Sequence, residues 1–409
     1  MDRALSAARD ILDAVRTGGD ADLLAATERF DGVRPATLIL RRPEMREALE
    51  TLGRDLRESL EAAAARIEAF HRMQLPLGYD LSSATDGLRV GEQPRALDRV
   101  GVYVPAGPSG YPSTALMGTI PARLAGVREI VLATPPAKTG RPPDAVLAAA
   151  WLGGATEVLV AGGAQAIAAL AYGTESVRPV DKIVGPGNVY VTAAKLLVQD
   201  RVATDGIAGP SEVLVVADDE ASPDDVATEL LAQAEHDSDA VAIGVVVGDS
   251  MGDVRRAIES RARGLRRGAA ALRALDRNGW LVRVASMSDA IDLSNRLAPE
   301  HLVLAVRDAS AYVYAVRDAG CVFLGPRTTA ALGDYVAGTN HVLPTAGSAR
   351  WRGGLGVRDF VKFLSFVEAA PEASPRLRGS AARIARAEGF EAHAAALEAR
   401  ERGGKEGPP

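Results

Sequence analysis

From Val100 to Gly325 the chain repeats one pattern: a short apolar run, a polar or glycine-rich turn, then a stretch with helical spacing. The apolar runs of a first series fall at 100–104, 129–133, 157–161 and 181–184, with segments 144–152 and 164–172 suited to helices between them. A second series follows at 212–217, 240–247, 281–285, 301–306 and 321–325. Short apolar runs that alternate with helices predict parallel sheets covered on both faces. Two series of similar size predict two doubly wound α/β domains, and 409 residues are too many for a single core.

The ends differ from the middle. Residues 1 to about 75 read as helical; Gly18-Gly19 breaks the first helix and Asp20 is placed to cap the next. Pro43 opens a long helix with Leu49, Leu52, Leu56, Leu60, Ala64 and Ile67 on one stripe. His71 extends that stripe with no other ligand type beside it, so packing is its expected role. After Pro371 the chain turns helical and charged, and 403–409 reads as a flexible tail. Net charge is -6 and no basic aromatic stripe occurs, which argues against a nucleic-acid surface. The single cysteine, Cys321, excludes a disulfide framework and a thiolate metal cage; its apolar run predicts a buried, inert thiol. The most apolar stretch, 158–173, is interrupted by Gly162-Gly163 and Gln165 and is too short to cross a membrane. With a charged amphipathic start instead of a signal peptide, a cytoplasmic protein is expected.

Chemistry concentrates in a few stretches. Ser222, Pro223, Asp224 and Asp225 suit a helix start, Val226, Leu230 and Ala234 its buried stripe, and Gln233-Ala234-Glu235-His236 its last turn. Gln233 and His236 are three apart and so share a helix face, where an amide oxygen and an imidazole can both bind zinc. Two ligands are an incomplete site, and a polar helix end is the plainer reading. Asp334 in Gly333-Asp334-Tyr335, expected in a polar turn, and His393 on a short helix would complete an oxygen and nitrogen set suited to zinc. Pro299-Glu300-His301 joins a helix to a strand, expected to be a ligand-binding sheet edge, and offers two proton-transfer groups of different acidity. Glycine-rich turns follow three strands of the first series: 105–112, Gly162-Gly163-Ala164-Gln165 and Gly185-Pro186-Gly187-Asn188. They can admit a phosphate or ribose, although none gives G-x-G-x-x-G, and tight-turn geometry alone accounts for them equally.

Taken in order, these stretches carry a resemblance. Tyr103-Val104-Pro105 with Tyr111-Pro112-Ser113, Gly185-Pro186-Gly187-Asn188, Ala208-Gly209-Pro210-Ser211-Glu212 and Gln233-Ala234-Glu235-His236 are followed by three more: Ala298-Pro299-Glu300-His301, Gly338-Thr339-Asn340-His341 and Glu388-Gly389-Phe390-Glu391-Ala392-His393. Over essentially its whole length the chain resembles the histidinol dehydrogenase family, with Ala106 standing where a glycine is expected. The resemblance implies two incomplete Rossmann-like domains with small helical N- and C-terminal parts, in an intertwined homodimer. Its division would be 1–20, an N-terminal helical segment; 21–102 with 212–355, a zinc and substrate domain; 103–211, an NAD-binding domain; and 356–409, a helical dimerisation segment.

It further implies zinc on Gln233, His236, Asp334 and His393, the last from the partner subunit. Ser211 and Glu388 would contact substrate, with the metal ligands and His301 also against it and His341 beside it; Tyr103, Gln165 and Asn188 would line the NAD site. Glu300 and His301 would be catalytic in oxidising L-histidinol to L-histidine by two NAD-dependent steps through a bound aldehyde. Neither a nucleic acid nor a membrane is an expected partner. Three other classes share parts of this signature. A metallohydrolase would leave NAD unreduced, and a non-catalytic zinc-stabilised assembly would have no use for Glu300 beside His301. A related dehydrogenase of another amino or sulfonated alcohol would differ at substrate contacts such as Glu388.

Overall fold

The computed structural model describes residues 1–83, 87–107, 110–206, 209–370 and 375–402. Pro108 and Ser109 of the first glycine-rich turn, Ala208, and the 403–409 tail lie outside the described residues. In chain order the strands begin with β1 (Ile39–Arg41), β2 (Tyr79–Ser83), β3 (Leu88–Ala96), β4 (Arg99–Tyr103), β5 (Glu129–Thr134), β6 (Glu157–Val160), β7 (Lys182–Val184) and β8 (Ala203–Thr204). There follow β9 (Glu212–Ala217), β10 (Val241–Val247), β11 (Gly279–Val284), β12 (His301–Ala305), β13 (Cys321–Leu324) and β14 (Val361–Ala369).

By contact the chain forms two units, the first made of Met1–Leu75 and Leu97–Phe360. It holds two sheets. One runs β1-β6-β5-β4-β7-β8, parallel except for β1, which pairs antiparallel with β6; the other runs β11-β10-β9-β12-β13 and is wholly parallel. Numbered from β4 and from β9, both parallel sets have the order 3-2-1-4-5. Alternate residues of each strand enter different cores, as the period of two requires. Val100, Val102, Ile130 and Leu132 face one layer of helices, while Tyr103, Val131, Ala133 and Leu159 face another. In the second sheet Val213, Val215 and Val303 are separated in the same way from Leu214, Val216, Leu302 and Leu304.

The expected strands and the helices Asp144–Gly153 and Gly163–Tyr172 are present. The N-terminal reading needs correction in three places. Residues 1–75 are not all helical, because β1 extends the first sheet by pairing with β6. The long helix after Pro43 divides at Gly53 into Arg42–Thr51 and Arg54–Arg72, which leaves Leu56 exposed. Gly19 does break the first helix, at φ 58° and ψ -138°, but Asp20 turns outward from helix capping: its carboxylate accepts from Thr174 and Ser176. The helices before residue 75 pack with those around the first sheet, since Leu49, Leu60, Ala63 and Ile67 share a core with Ala115, Leu116, Ile120 and Leu147. By contact, residues 1–75 fall in the same unit as 97–360. His71 is buried, with Nδ1 2.8 Å from the Ile67 carbonyl, and packs as expected.

The second unit comprises Pro76–Ala96 and Val361–Pro409. It contains a three-stranded antiparallel sheet ordered β14-β3-β2 and the helices Pro375–Ala387 and Glu391–Arg402. The segment 356–409 is thus not wholly helical. Alternation along β14 is weak because Phe363, Leu364 and Val367 are all exposed.

Candidate active site

One cavity of about 440 Å³ lies where the carboxyl ends of the first sheet meet the amino ends of the second. Pro105 and Ala106 leave β4, Gly185 to Asn188 leave β7, Ser211 precedes β9, and Glu300 and His301 open β12. Gln233, His236, Asp334 and His341 complete the wall. Glu300-His301 therefore sits at the amino edge of its sheet, opposite the carboxyl edge where open α/β sheets commonly bind ligands. Glu300 precedes the strand and His301 is its first residue, and beyond the carboxyl ends Asp218 accepts from the Arg307 amide at 2.8 Å while Arg307 pairs with Glu220.

The β7 turn is fixed by close packing. Gly185 has φ 111°, and a Cβ there would lie 2.1 Å from the Tyr103 carbonyl oxygen, so a side chain has no room. Its N–H donates to Asp205 Oδ2 at 2.6 Å, and Lys195 Nζ bridges Asp205 Oδ1, also at 2.6 Å, and the Gly185 carbonyl. Asn188 Oδ1 accepts from the amides of Tyr190 and Val191 and so caps the helix Val189–Leu197.

The helix Pro223–Ala234 positions two further groups. Ser222 occupies the N-cap but its hydroxyl makes no capping bond, so Pro223 at the first position and the acidic first turn carry the start. Val226, Leu230 and Ala234 are buried as expected. The helix ends at Ala234, which leaves Gln233 in its last turn and His236 in the turn beyond. Gln233 is buried, and its Nε2 has no hydrogen-bond partner among the described residues. Asp334 lies in the short helix Ala330–Tyr335, not in a turn.

His301 is buried, its ring stacked at 6.0 Å and 25° on Phe323. Nδ1 is 3.1 Å from the Glu212 carbonyl, which can only accept; Nδ1 therefore carries the proton, and Nε2 is the free nitrogen of the neutral ring. Nε2 has no hydrogen-bond partner and stands 3.5 Å from Asp334 Oδ1, while Glu300 Oε2 is 3.6 Å from Nδ1. Burial opposes a charge here, but the Asp334 and Glu300 carboxylates prevail and draw a proton onto His301 well above its ordinary range. Glu300 Oε2 also accepts from the Glu212 amide at 2.8 Å. His341 has both nitrogens engaged, Nδ1 at 2.8 Å from the Asp334 carbonyl and Nε2 at 3.1 Å from Thr114 Oγ1, and burial lowers its pKa. Cys321, beside His301 in register, is half-buried rather than buried, and its thiol is pushed up by burial.

Tyr103 and Gln165 are not in this wall. The Tyr103 hydroxyl accepts from the Gly163 amide at 3.0 Å, and Gln165 Nε2 lies 3.4 Å from Asp31. Burial raises the Tyr103 pKa to about 12 and the Asp31 pKa to about 6, a Gly162 amide bond pulling Asp31 the other way. Glu388 and His393 belong to the second unit and are exposed there; the His393 ring is 5.2 Å from that of Phe390. Among the described residues no three His, Cys, Asp or Glu side chains gather to hold a metal ion. Gln233 with its amide, His236 and Asp334 line the same cavity and are donors that suit zinc in kind. Asp31, Thr114, Lys195 and Asp205 escaped the sequence reading. Their partners are distant in sequence or ten residues away, so no local spacing announces them.

The histidinol dehydrogenase family model matches residues 1–401. A histidinol dehydrogenase from Methanothermobacter thermautotrophicus is 45% identical over 395 residues, 96% of this chain and 92% of that one. The chain belongs to the histidinol dehydrogenase family. A relative from Rhizobium meliloti is 46% identical over 402 residues, covering 98% of this chain and 92% of its own. The solved histidinol dehydrogenase of Elizabethkingia anophelis superposes with a TM-score of 0.93 at 35% identity, covering 97% of this chain and 92% of that one. Membership makes the protein an oxidoreductase, and the mixed α/β architecture with parallel sheets is that of the solved relative. Among the described residues no helix is long and apolar enough to cross a membrane.

Proposed function

We propose that the protein is a zinc- and NAD-dependent enzyme that oxidises L-histidinol to L-histidine through L-histidinal, the closing step of histidine biosynthesis in the cytoplasm. The observation that carries this reading is the convergence of Gln233, His236, Glu300, His301 and Asp334 on one cavity in a chain of this family. Gln233, His236 and Asp334 would hold zinc together with His393 of a second copy, and the metal would orient the substrate through its imidazole and amine. Ser211 and Glu388 would contact the substrate, and Tyr103, Gln165 and Asn188 would serve NAD, which accepts the hydride.

His301 Nε2 would take the hydroxyl proton, being the ring nitrogen left free by the Glu212 bond. Asp334 is both a proposed ligand and the carboxylate beside Nε2, so its engagement would bring His301 back toward the neutral form a base requires. Glu300 has Oε2 held by the Glu212 amide, which leaves Oε1 to accept a proton from the water that adds to the aldehyde. His341, with both nitrogens occupied, would fix the Asp334 backbone and not exchange protons.

The strand order 3-2-1-4-5 in both parallel sets supports two incomplete Rossmann-like domains, the first serving NAD and the second zinc and substrate. Support for a homodimer comes from the second unit, whose Leu81, Phe363, Leu364, Val367 and Ile384 are exposed apolar side chains that a second copy would cover. The test supplies zinc, NAD and L-histidinol to purified protein and counts NADH against histidine. Two NADH per histidine is the expected result. Absence of NADH would sink the reading, and a sulfonated or other amino alcohol oxidised in preference would reassign the substrate.

A further inference from the structure

A second cavity, of about 600 Å³, shares Asp205, Gly206 and Arg352 with the reaction cavity and extends along Gln74, Thr204, Arg358 and Asp359. Its two carboxylates are already satisfied. Asp205 has Lys195 Nζ on one oxygen and the Gly185 amide on the other. Asp359 has Lys182 Nζ at 3.2 Å on Oδ1 and the Gly356 amide at 2.9 Å on Oδ2. The remaining side-chain oxygens are used as well, since Gln74 Oε1 takes the Val357 amide and Thr204 Oγ1 takes Gln199 Nε2. What the wall retains is donors: the Thr204 hydroxyl hydrogen, the Gln74 amide NH₂, and the guanidinium groups of Arg352 and Arg358, neither of which has an ion pair among the described residues.

We infer that this second cavity is a binding site for a phosphate group. A wall of two free guanidiniums and neutral donors, with every carboxylate compensated, is matched by a compact anion rich in acceptor oxygens, and arginine binds phosphate oxygens in bidentate pairs. The shared wall at Arg352 admits two sources: a free phosphate compound, or the pyrophosphate of a dinucleotide whose other end reaches the reaction cavity. The dinucleotide source rests on the proposed NAD dependence; the phosphate site itself does not.

The test is calorimetric titration of inorganic phosphate, with acetate as the comparison anion, into the full-length zinc-loaded protein and its Arg352→Gln and Arg358→Gln variants. Arg358 is exposed, so its variant keeps the fold even if Arg352→Gln does not. Saturable phosphate binding that weakens about tenfold or more in each folded variant, with acetate much weaker, is the expected result. Phosphate that no longer binds once NAD is bound identifies the cofactor's pyrophosphate as the occupant, and phosphate that still binds to the NAD-bound protein identifies a free compound. Lack of saturable binding, equal binding of acetate, or indifference to both substitutions would overturn the site. Failure of NAD to bind while phosphate binding persists would count against the proposed activity alone.

Discussion

Asp31 offers a stability test whose size follows from the structure. Its carboxyl is partly buried against the Gly162 turn and near Gln165, and burial raises its pKa from 3.8 to about 6 in spite of the Gly162 amide. Below 3.8 folded and unfolded chains both carry the proton. Between 3.8 and about 6 the folded chain keeps a proton the unfolded chain has lost, so stability falls as pH rises through this window and is level above it. The full displacement corresponds to about 3 kcal/mol. Water reaching a partly buried group screens some of it, so about 1–3 kcal/mol is the expected loss. Asp31→Asn keeps an oxygen for the Gly162 amide and cannot ionise. Urea unfolding of both proteins should give similar midpoints near pH 4 and a more stable variant above pH 6, the difference growing by about 1–3 kcal/mol. Other carboxylates are common to both proteins and cancel. A difference that does not change with pH, or that favours the wild type more as pH rises, would refute the argument.

Glu300→Gln should impair oxidation of histidinal about 10²–10⁴-fold while a single-turnover hydride transfer from histidinol stays visible; equal loss in both half-reactions would remove its separate role. Lys195→Met should cost about 3–5 kcal/mol in chemical denaturation because it strands the buried Asp205 charge, and adding Asp205→Asn should recover most of it. Chains of His301→Ala mixed with chains of His393→Ala should regain about one quarter of wild-type activity if each site is completed by the other subunit. Subunit exchange shown by native mass spectrometry without any such recovery would place His393 with its own chain.

The sequence made the parallel layers legible because their central strands β4, β5, β6, β9 and β12 are almost wholly buried, so each reads as an apolar run. It concealed β1, which is three residues long and adds antiparallel at an edge, and β2, β3 and β14, whose exposed faces mix polar and apolar groups without a clear period. The split at Gly53 was hidden because the leucine spacing continues across it. Gln233 and His236 could be paired from their spacing, whereas the approach of Asp334 to His301 depends on a helix more than thirty residues further along and has no local signature. The site was therefore read as a set of stretches, and which atoms face each other came from the fold. The orientation of Glu300-His301 was misjudged for a related reason: a residue pair at a helix–strand junction does not say which edge of the sheet the neighbouring domain covers.

That orientation explains how two similar sheets can do different work at one cavity. The first sheet contributes its carboxyl edge, where Gly185 and Asn188 present backbone and a capped helix start, features suited to holding a polar ligand without reacting with it. The second contributes its amino edge, where the side chains of Glu300 and His301 stand at the start of β12 as groups able to exchange protons. Asp334 joins the two kinds of work. Its carboxylate lies 3.5 Å from His301 Nε2, and its carbonyl is held by His341. A cation taken by Asp334 and a proton taken by His301 therefore draw on the same negative charge, so each weakens the other's hold. If Asp334 is a metal ligand, loading zinc must release protons near His301, and the metal affinity must fall as pH is lowered through the range in which that imidazole becomes charged. A pH-independent affinity, measured by competition with a chelator of known protonation, would mean that Asp334 serves His301 alone.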